Sequence, residues 1–170
     1  MKDLGPGNCL IDLWIRQNTK NNNDNNGSIA KSGKINKLLL NQSLDIYFNN
    51  KISKKKSYDI NDFDISSFRG LSLEDGAATI IEFTVEILSK KISSTNIICC
   101  GGGRKNQYLI DRLEKKINSK ILNIDEFQLD GDFIESQAFA FLAIRSLLNL
   151  PLSFPMTTGC SKESTGGLII

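Results

Sequence analysis

The chain contains no histidine, and its four cysteines, Cys9, Cys99, Cys100 and Cys160, include no C-x-x-C pair. Those absences argue against a zinc site, which needs such ligands at close spacing. They argue against a disulfide framework too, because Cys99 and Cys100 sit inside an apolar run; the cysteines read as small buried hydrophobes in a reducing cytoplasm. Long hydrophobic runs are also missing. No stretch approaches the roughly 20 apolar residues of a membrane span, and the opening MKDLGPGNCL carries no apolar segment of a signal peptide. Nor is there an excess of one charge: 21 basic against 19 acidic residues leave +2, which gives no reason to expect nucleic acid or a membrane surface. The basic run KISKKKS (51–57) reads as a solvated loop, and no internal repeat is visible.

What is present is an ordinary globular composition, 40% hydrophobic over 170 residues, enough for one domain or one lobe with a sizeable core. Residues 8–18 carry Leu10, Ile11, Trp14 and Ile15 at helical spacing after a Gly5-Pro6-Gly7 turn, with Asn8 placed to cap. An Asn-rich loop (18–28) follows, with nothing to bury; its composition reads as drift under biased codon usage more than as a binding tract, a flexible loop over a cleft being the other reading. Ile29, Ile35, Leu38 and Leu39 predict a helix over 28–41, against which Gly33 stands, and 44–50 reads as a short helix or turn. The clearest helix spans 71–92, with Ser72 and Asp75 spaced as a capping box and Ala78, Ile81, Val85 and Leu88 on one face. Then the pattern alternates: buried strand NIICC, helix 107–117 with Leu109, Ile110, Leu113 and Ile117 inward, strand 120–124, and a long, largely buried helix over 132–150. That order predicts an α/β unit with a parallel strand pair.

The chemistry centres on Gly101, Gly102 and Gly103, directly after the first strand and before a helix, where α/β folds put ligands. The stretch lacks the GK[ST] ending of a Walker A loop and does not fit G-x-G-x-x-G. A structural turn needs one or two glycines, so the third points to close approach by a ligand. Arg104 and Lys105 are either solvated or neutralise phosphate there. Asp130, Asp132 and Glu135 are either a paired-carboxylate site or, on spacing the better reading, a capping box with Asp132 as cap and Glu135 three residues on. Asp75 fits the first turn of its helix without a function. Asp3 either binds a metal or holds the Gly-Pro-Gly turn.

Several motifs then line up: DLGPGNCLIDLWI, KKKSYDINDFD, GLSLEDGAATIIEFT, IICCGGGRKNQYLIDRL, DGDFIESQAFAFLAIRSLLNLPLSFPMTTG and the closing TGG. Together they resemble the C-terminal half of the anhydro-N-acetylmuramic acid kinase family, across essentially the whole chain. The glycine triplet alone would suggest only the wider superfamily of sugar kinases, heat-shock ATPases and actin. The resemblance implies an α/β fold, the C-terminal lobe of an actin-like (ribonuclease H-like) ATPase with a mixed sheet and flanking helices, residues 1–170 forming a single lobe. It implies a kinase that opens the 1,6-anhydro ring of anhydro-N-acetylmuramate with water and phosphorylates O6 from ATP with Mg2+. The product is N-acetylmuramate 6-phosphate, in recycling of cell-wall sugars in the cytoplasm.

Residue by residue, Gly101, Gly102, Gly103 and Asn106 match the glycine turn that lies against adenosine and the α-phosphate. Asp3, Gly5, Pro6, Gly7 and Asn8 match the family's D-T-G-P-G-N turn, with Leu4 in place of Thr; Asp3, Gly5, Gly7 and Asn8 are thereby nucleotide-side residues. Glu135 matches the acid of E-A-Q-A-F-A, near the sugar and attacking water, with Ser136 where Ala is usual. Lys56 and Ser57 match P-P-K-S without its prolines. No metal ligand is assigned. The family's first half, with the G-T-S-x-D-G phosphate loop, most sugar contacts and the general base, has no counterpart here. The resemblance therefore implies a truncated or split C-terminal part that partners an N-terminal lobe, in a homodimer. Two other readings remain: a nucleotide-binding or dimer-forming lobe without chemistry, and a small α/β domain whose glycines take another nucleotide.

Overall fold

The computed structural model describes residues 5–49, 62–94 and 96–167. Asp3, Leu4, Lys56, Ser57 and the basic run lie outside those residues.

The predicted first helix is present as α1 (Cys9–Asn18), and its apolar face of Leu10, Ile11, Trp14 and Ile15 is buried. The predicted 28–41 helix is two helices, α2 (Ser28–Ser32) and α3 (Lys37–Asn49), and α3 absorbs the 44–49 stretch. The reason for the break is Gly33, whose backbone is extended and lies so close to the Glu74 carbonyl that a Cβ would collide with it. Beyond it, Lys34 N donates to Asp75 Oδ1 (2.7 Å), Asn36 N donates to Thr79 Oγ1 (3.0 Å), and Asn36 Oδ1 accepts from Leu39 N (3.1 Å) to start α3.

Those bonds hold both helices to α4 (Leu73–Ser89), the centre of the core. Ser72 caps it, accepting from Asp75 N at 3.1 Å, but Asp75 turns to Lys34 instead of closing the capping box. Ala77, Ala78, Ile80, Ile81, Val85 and Ile87 are all essentially inaccessible, so α4 is buried on more than one face. Trp14 packs against it, its Nε1 donating to Leu73 O at 2.9 Å, and a Cβ at Gly76 would overlap the indole ring. Gly76→Ala is therefore expected to destabilise. Alanine gains about 1 kcal/mol of helix propensity over glycine, but overpacking a rigid, hydrogen-bonded ring costs about 1–3 kcal/mol. A thermal midpoint at or above that of the parent chain would contradict this packing.

The alternating half follows the predicted order: β1 (Ile97–Cys99), α5 (Gln107–Ile117), β2 (Ile121–Asn123), α6 (Ile134–Leu147) and a last turn α7 (Pro155–Thr158). β1 and β2 pair in parallel, with Ile97 opposite Ile121, Ile98 opposite Leu122 and Cys99 opposite Asn123. α5 begins under Asn106, whose Oδ1 accepts from Leu109 N at 3.1 Å, and Arg112 ties it to α4 through Glu82. The described residues thus form a mixed α/β structure with a small parallel sheet and many helices; the other strand contact among them is an antiparallel bridge between Ser153 and Ser164.

Three expectations need correction. The first strand is not buried: Ile97 and Cys99 pack on the core while Ile98, pointing to the other face, is 52% exposed. Cys100 is exposed, and Cys9, Cys99 and Cys160 are only half-buried, so the cysteines are not all core residues. The last long helix is not buried either, since no residue of α6 is, and Phe139, Phe141, Ile144 and Leu147 are each more than half exposed. In each case the physical cause is the same. The apolar pattern marks a face made to be covered, and no described residue covers it.

Candidate functional site

The chain leaves β1 through Gly101, whose φ of +71° with ψ of −170° is a conformation open only to glycine. Gly102–Lys105 then form one 3-10 turn. Gly102 and Gly103 do not need positive φ, and a Cβ on either would meet no atom within 4 Å. One glycine of the three is thus accounted for by backbone conformation, and the other two leave bare main chain facing open space.

Against this turn lies the 5–8 turn, 94 positions earlier in sequence. Asn8 Nδ2 donates to Gly102 O at 3.2 Å, while Asn8 Oδ1 is buried with no hydrogen-bond partner among the described residues. Asn8 occupies the position before α1 but does not cap it with its side chain, contrary to expectation; its amide is spent on the glycine turn. Gly7 has φ +53°, and Gly5 packs against Leu88 and Ile87 of α4.

Asn8, Gly102 and Asn106 meet in a cavity of about 240 Å³, whose wall continues through Asp12, Asp24 and Lys105 and is closed by the Asn-rich loop. That loop is anchored to the site. Asp24, almost fully buried, accepts from Ile29 N and Ala30 N (both 2.9 Å), and Gly27, at φ +68°, sits so close to Asn106 that a side chain could not fit. Gly5, Gly7, Gly101 and Gly103 adjoin the cavity residues in sequence without lining it, and Glu135 does not line it. Asp3 lies outside the described residues.

Asp12 was not singled out from the sequence. Its carboxyl is pushed up from the ordinary value by burial, and further by the negative charge of Asp24, with Arg16 opposing. The available signal was its place four residues after Asn8, which puts both on one side of α1. A larger cavity, about 340 Å³, lies among Ser43, Tyr47, Phe63, Ser67 and Phe83, away from the glycine turn.

The acids near the predicted Asp132–Glu135 cap behave differently from that reading. α6 starts after Phe133, and the Asp132 carboxylate is not a cap; it accepts from Arg104 Nη1 at 2.7 Å and Lys105 Nζ at 2.5 Å. Those two hydrogen bonds, Arg104's first, hold Asp132 down to about 2. Arg104 is neither solvated nor free for phosphate: its side chain is 5% exposed. Glu135, on the first turn of α6, is exposed.

The open backbone at Gly102 and Gly103 and the orphaned Asn8 Oδ1 fit a nucleotide, which offers hydroxyl and amino donors and phosphate oxygens. A metal fits less well: among the described residues there is no group of three or more His, Cys, Asp or Glu side chains that could hold an ion.

These features define a class: an α/β protein presenting a glycine turn at the carboxyl end of a parallel strand pair. The family model described as "Anhydro-N-acetylmuramic acid kinase" matches residues 2–170, and the chain belongs to that family. It is 46% identical to the anhydro-N-acetylmuramic acid kinase of Pelagibacter ubique, over 99% of this chain and 48% of that protein. With the protein of the same name from Zymomonas mobilis it shares 37% identity, over 98% of this chain and 47% of the relative. The Rhodospirillum rubrum protein of that name is 36% identical, over 97% and 45%. The chain thus spans about half the length of the curated relatives it matches. No helix among the described residues is long and apolar enough to cross a membrane.

Proposed function

We propose that the chain is the C-terminal lobe of an ATP-dependent kinase of 1,6-anhydro-N-acetylmuramate, with the actin-like, ribonuclease H-like architecture of the wider superfamily. With an N-terminal lobe it opens the anhydro ring with water and phosphorylates O6, giving N-acetylmuramate 6-phosphate in the cytoplasm. The observation that carries this reading is the glycine turn. Gly102 and Gly103 keep side chains away from a space that no described residue fills, beside an Asn8 oxygen with no hydrogen-bond partner among the described residues. Nucleotide resting there would have main-chain N–H groups toward its phosphate and Asn8 Oδ1 as an acceptor. Asn106 would support the turn from beneath by fixing the start of α5, and Asp12 offers a second acceptor on the cavity wall. Glu135 would orient the sugar or the attacking water from the far side. ATP supplies the phosphoryl group, and closure of two lobes supplies the alignment that such a transfer needs.

The uncovered apolar face supports the need for a partner. Phe139, Phe141 and Ile144 on α6 and Ile98 on β1 are each more than half exposed, apolar side chains that a lone lobe would not keep in water. The N-terminal lobe is its first occupant, and assembly of two complete kinases into a homodimer is a further step.

The test is Gly102→Val. Because a Cβ there meets nothing within 4 Å, the fold is expected to survive, while the branched side chain fills the space the nucleotide needs. Calorimetry should show ATP-analogue affinity falling at least about ten-fold, the equivalent of about 1.4 kcal/mol. Unchanged affinity in a folded variant would remove the nucleotide from this turn.

A further inference from the structure

Arg104 has a set of partners that the site described above does not explain. Its Nε donates to Asp125 Oδ2 at 2.8 Å, and its Nη1 donates to both Asp132 Oδ1 (2.7 Å) and Gly101 O (2.9 Å). Asp130 stands 3.9 Å from Nη2. The contact is reciprocated through the backbone: Gly101 N donates to Gly131 O at 2.9 Å, and Gly131 N donates to Asp125 Oδ1 at 2.8 Å. Gly131 is buried with Arg104 stacked directly on its Cα, so that a Cβ would collide with the guanidinium. One planar, five-donor group therefore joins the first residue of the glycine turn to the loop that leads into α6. The carboxylates on both sides stay ionised at neutral pH, Asp132 at about 2 and Asp125 below its usual value through the same guanidinium.

We propose that Arg104 is a positioning residue that fixes the Gly101 backbone to the 125–132 loop, so that the nucleotide side and the Glu135 side of the site keep one geometry. This rests on the kinase reading for its consequence but not for its geometry. Gly101 holds a glycine-only conformation whose carbonyl and amide are both pinned, the first by Arg104 and the second by the loop Arg104 holds. Without the guanidinium, the Gly101 carbonyl keeps only the longer bond from the Arg104 backbone N–H (3.3 Å), and Asp125 and Asp132 lose their common donor, so the link between the turn and the 125–132 loop is weakened. A lysine keeps the charge but has one ammonium in place of the fork, and cannot reach Asp125, Asp132 and Gly101 together.

The experiment compares the chain with Arg104→Lys, Arg104→Ala and Gly131→Ala, by amide hydrogen exchange and by ATP-analogue calorimetry. The Gly131 variant keeps every charge and places its new Cβ against the Arg104 side chain, so it remains informative if Arg104→Ala fails to fold. Expected in Arg104→Lys and Gly131→Ala is a rise of about ten-fold or more in exchange at the Gly101 amide, the loss of a charge-assisted link. Amides of α1 and α4 should be unchanged, and analogue affinity should fall by a similar factor. A role in charge balance or general stability predicts instead that lysine rescues Gly101 protection, and that result overturns the proposal. So does unchanged protection in a folded Gly131→Ala protein. If the parent chain binds no ATP analogue, the kinase reading loses its carrier, while exchange at Gly101 still decides the role of Arg104.

Discussion

Replacing Glu135 by glutamine is expected to lower sugar-dependent turnover on the order of 10²-fold or more, the usual cost of losing a group that handles or orients a proton. The measurement is ADP release with anhydro-N-acetylmuramate and ATP, using this chain together with an N-terminal half. The sequence alone leaves a rival, since a carboxylate three residues after Asp132 reads as half of a capping box, and glutamine serves there equally well. The structure removes that rival. The helix begins after Phe133, and Asp132 is bonded to Arg104 and Lys105, so no capping box exists for Glu135 to close. Glu135 is exposed on the first turn, where a carboxylate contributes at most about 1 kcal/mol through the helix dipole. Glu135→Gln should therefore leave the thermal midpoint almost unchanged while turnover collapses. Normal turnover would leave Glu135 with the helix dipole alone.

How much of this was legible in the sequence depends on the distance over which each feature acts. α1, α4 and α5 were readable because amphipathic spacing is local, and Ser72 caps α4 as its pattern implies, whereas Asn8 does not cap α1. Gly33 carried a correct warning: it breaks the predicted helix because the backbone must pass the start of α4, a contact 41 positions away that no local pattern contains. The glycine triplet was readable as a place, and the structure divides its three members by cause. Arg104 was misread as a solvent or phosphate ligand because its partners, Asp125 and Asp132, lie 21 and 28 residues on. The same long-range pairing took Asp132 away from its expected cap. The α6 run was read as buried because apolar composition reports a face that needs a cover; it does not say which chain supplies one.

That cover bears on the largest expected effect. This chain alone is expected to show no kinase turnover, and to gain it when mixed with an N-terminal half. Phosphoryl transfer is mostly positioning and charge stabilisation, and effective molarities of about 10⁵–10⁸ M are lost when half of the positioning groups are absent. On the proposed reading, the cavity at Asn8, Gly102 and Asn106 would hold a nucleotide on one side only, and the described residues offer no cluster to hold a metal beside its phosphates. The exposed residues of α6 should give the mixture its affinity, since burying each large apolar side chain is worth roughly 1.5–3 kcal/mol. A charged replacement such as Ile144→Asp, on that exposed face, should weaken complementation without unfolding the lobe.

The most direct measurement is therefore ADP release dependent on anhydro-N-acetylmuramate, taken for the chain alone, for an N-terminal half alone, and for the two mixed. The account predicts background rates for each part and sugar-dependent turnover for the mixture. No turnover by the mixture, with both parts folded and associated, would contradict the kinase reading. Sugar-dependent turnover by the chain alone would contradict the need for a second lobe, and would place the base that activates water among Asp3, Asp75, Asp130 and Glu135.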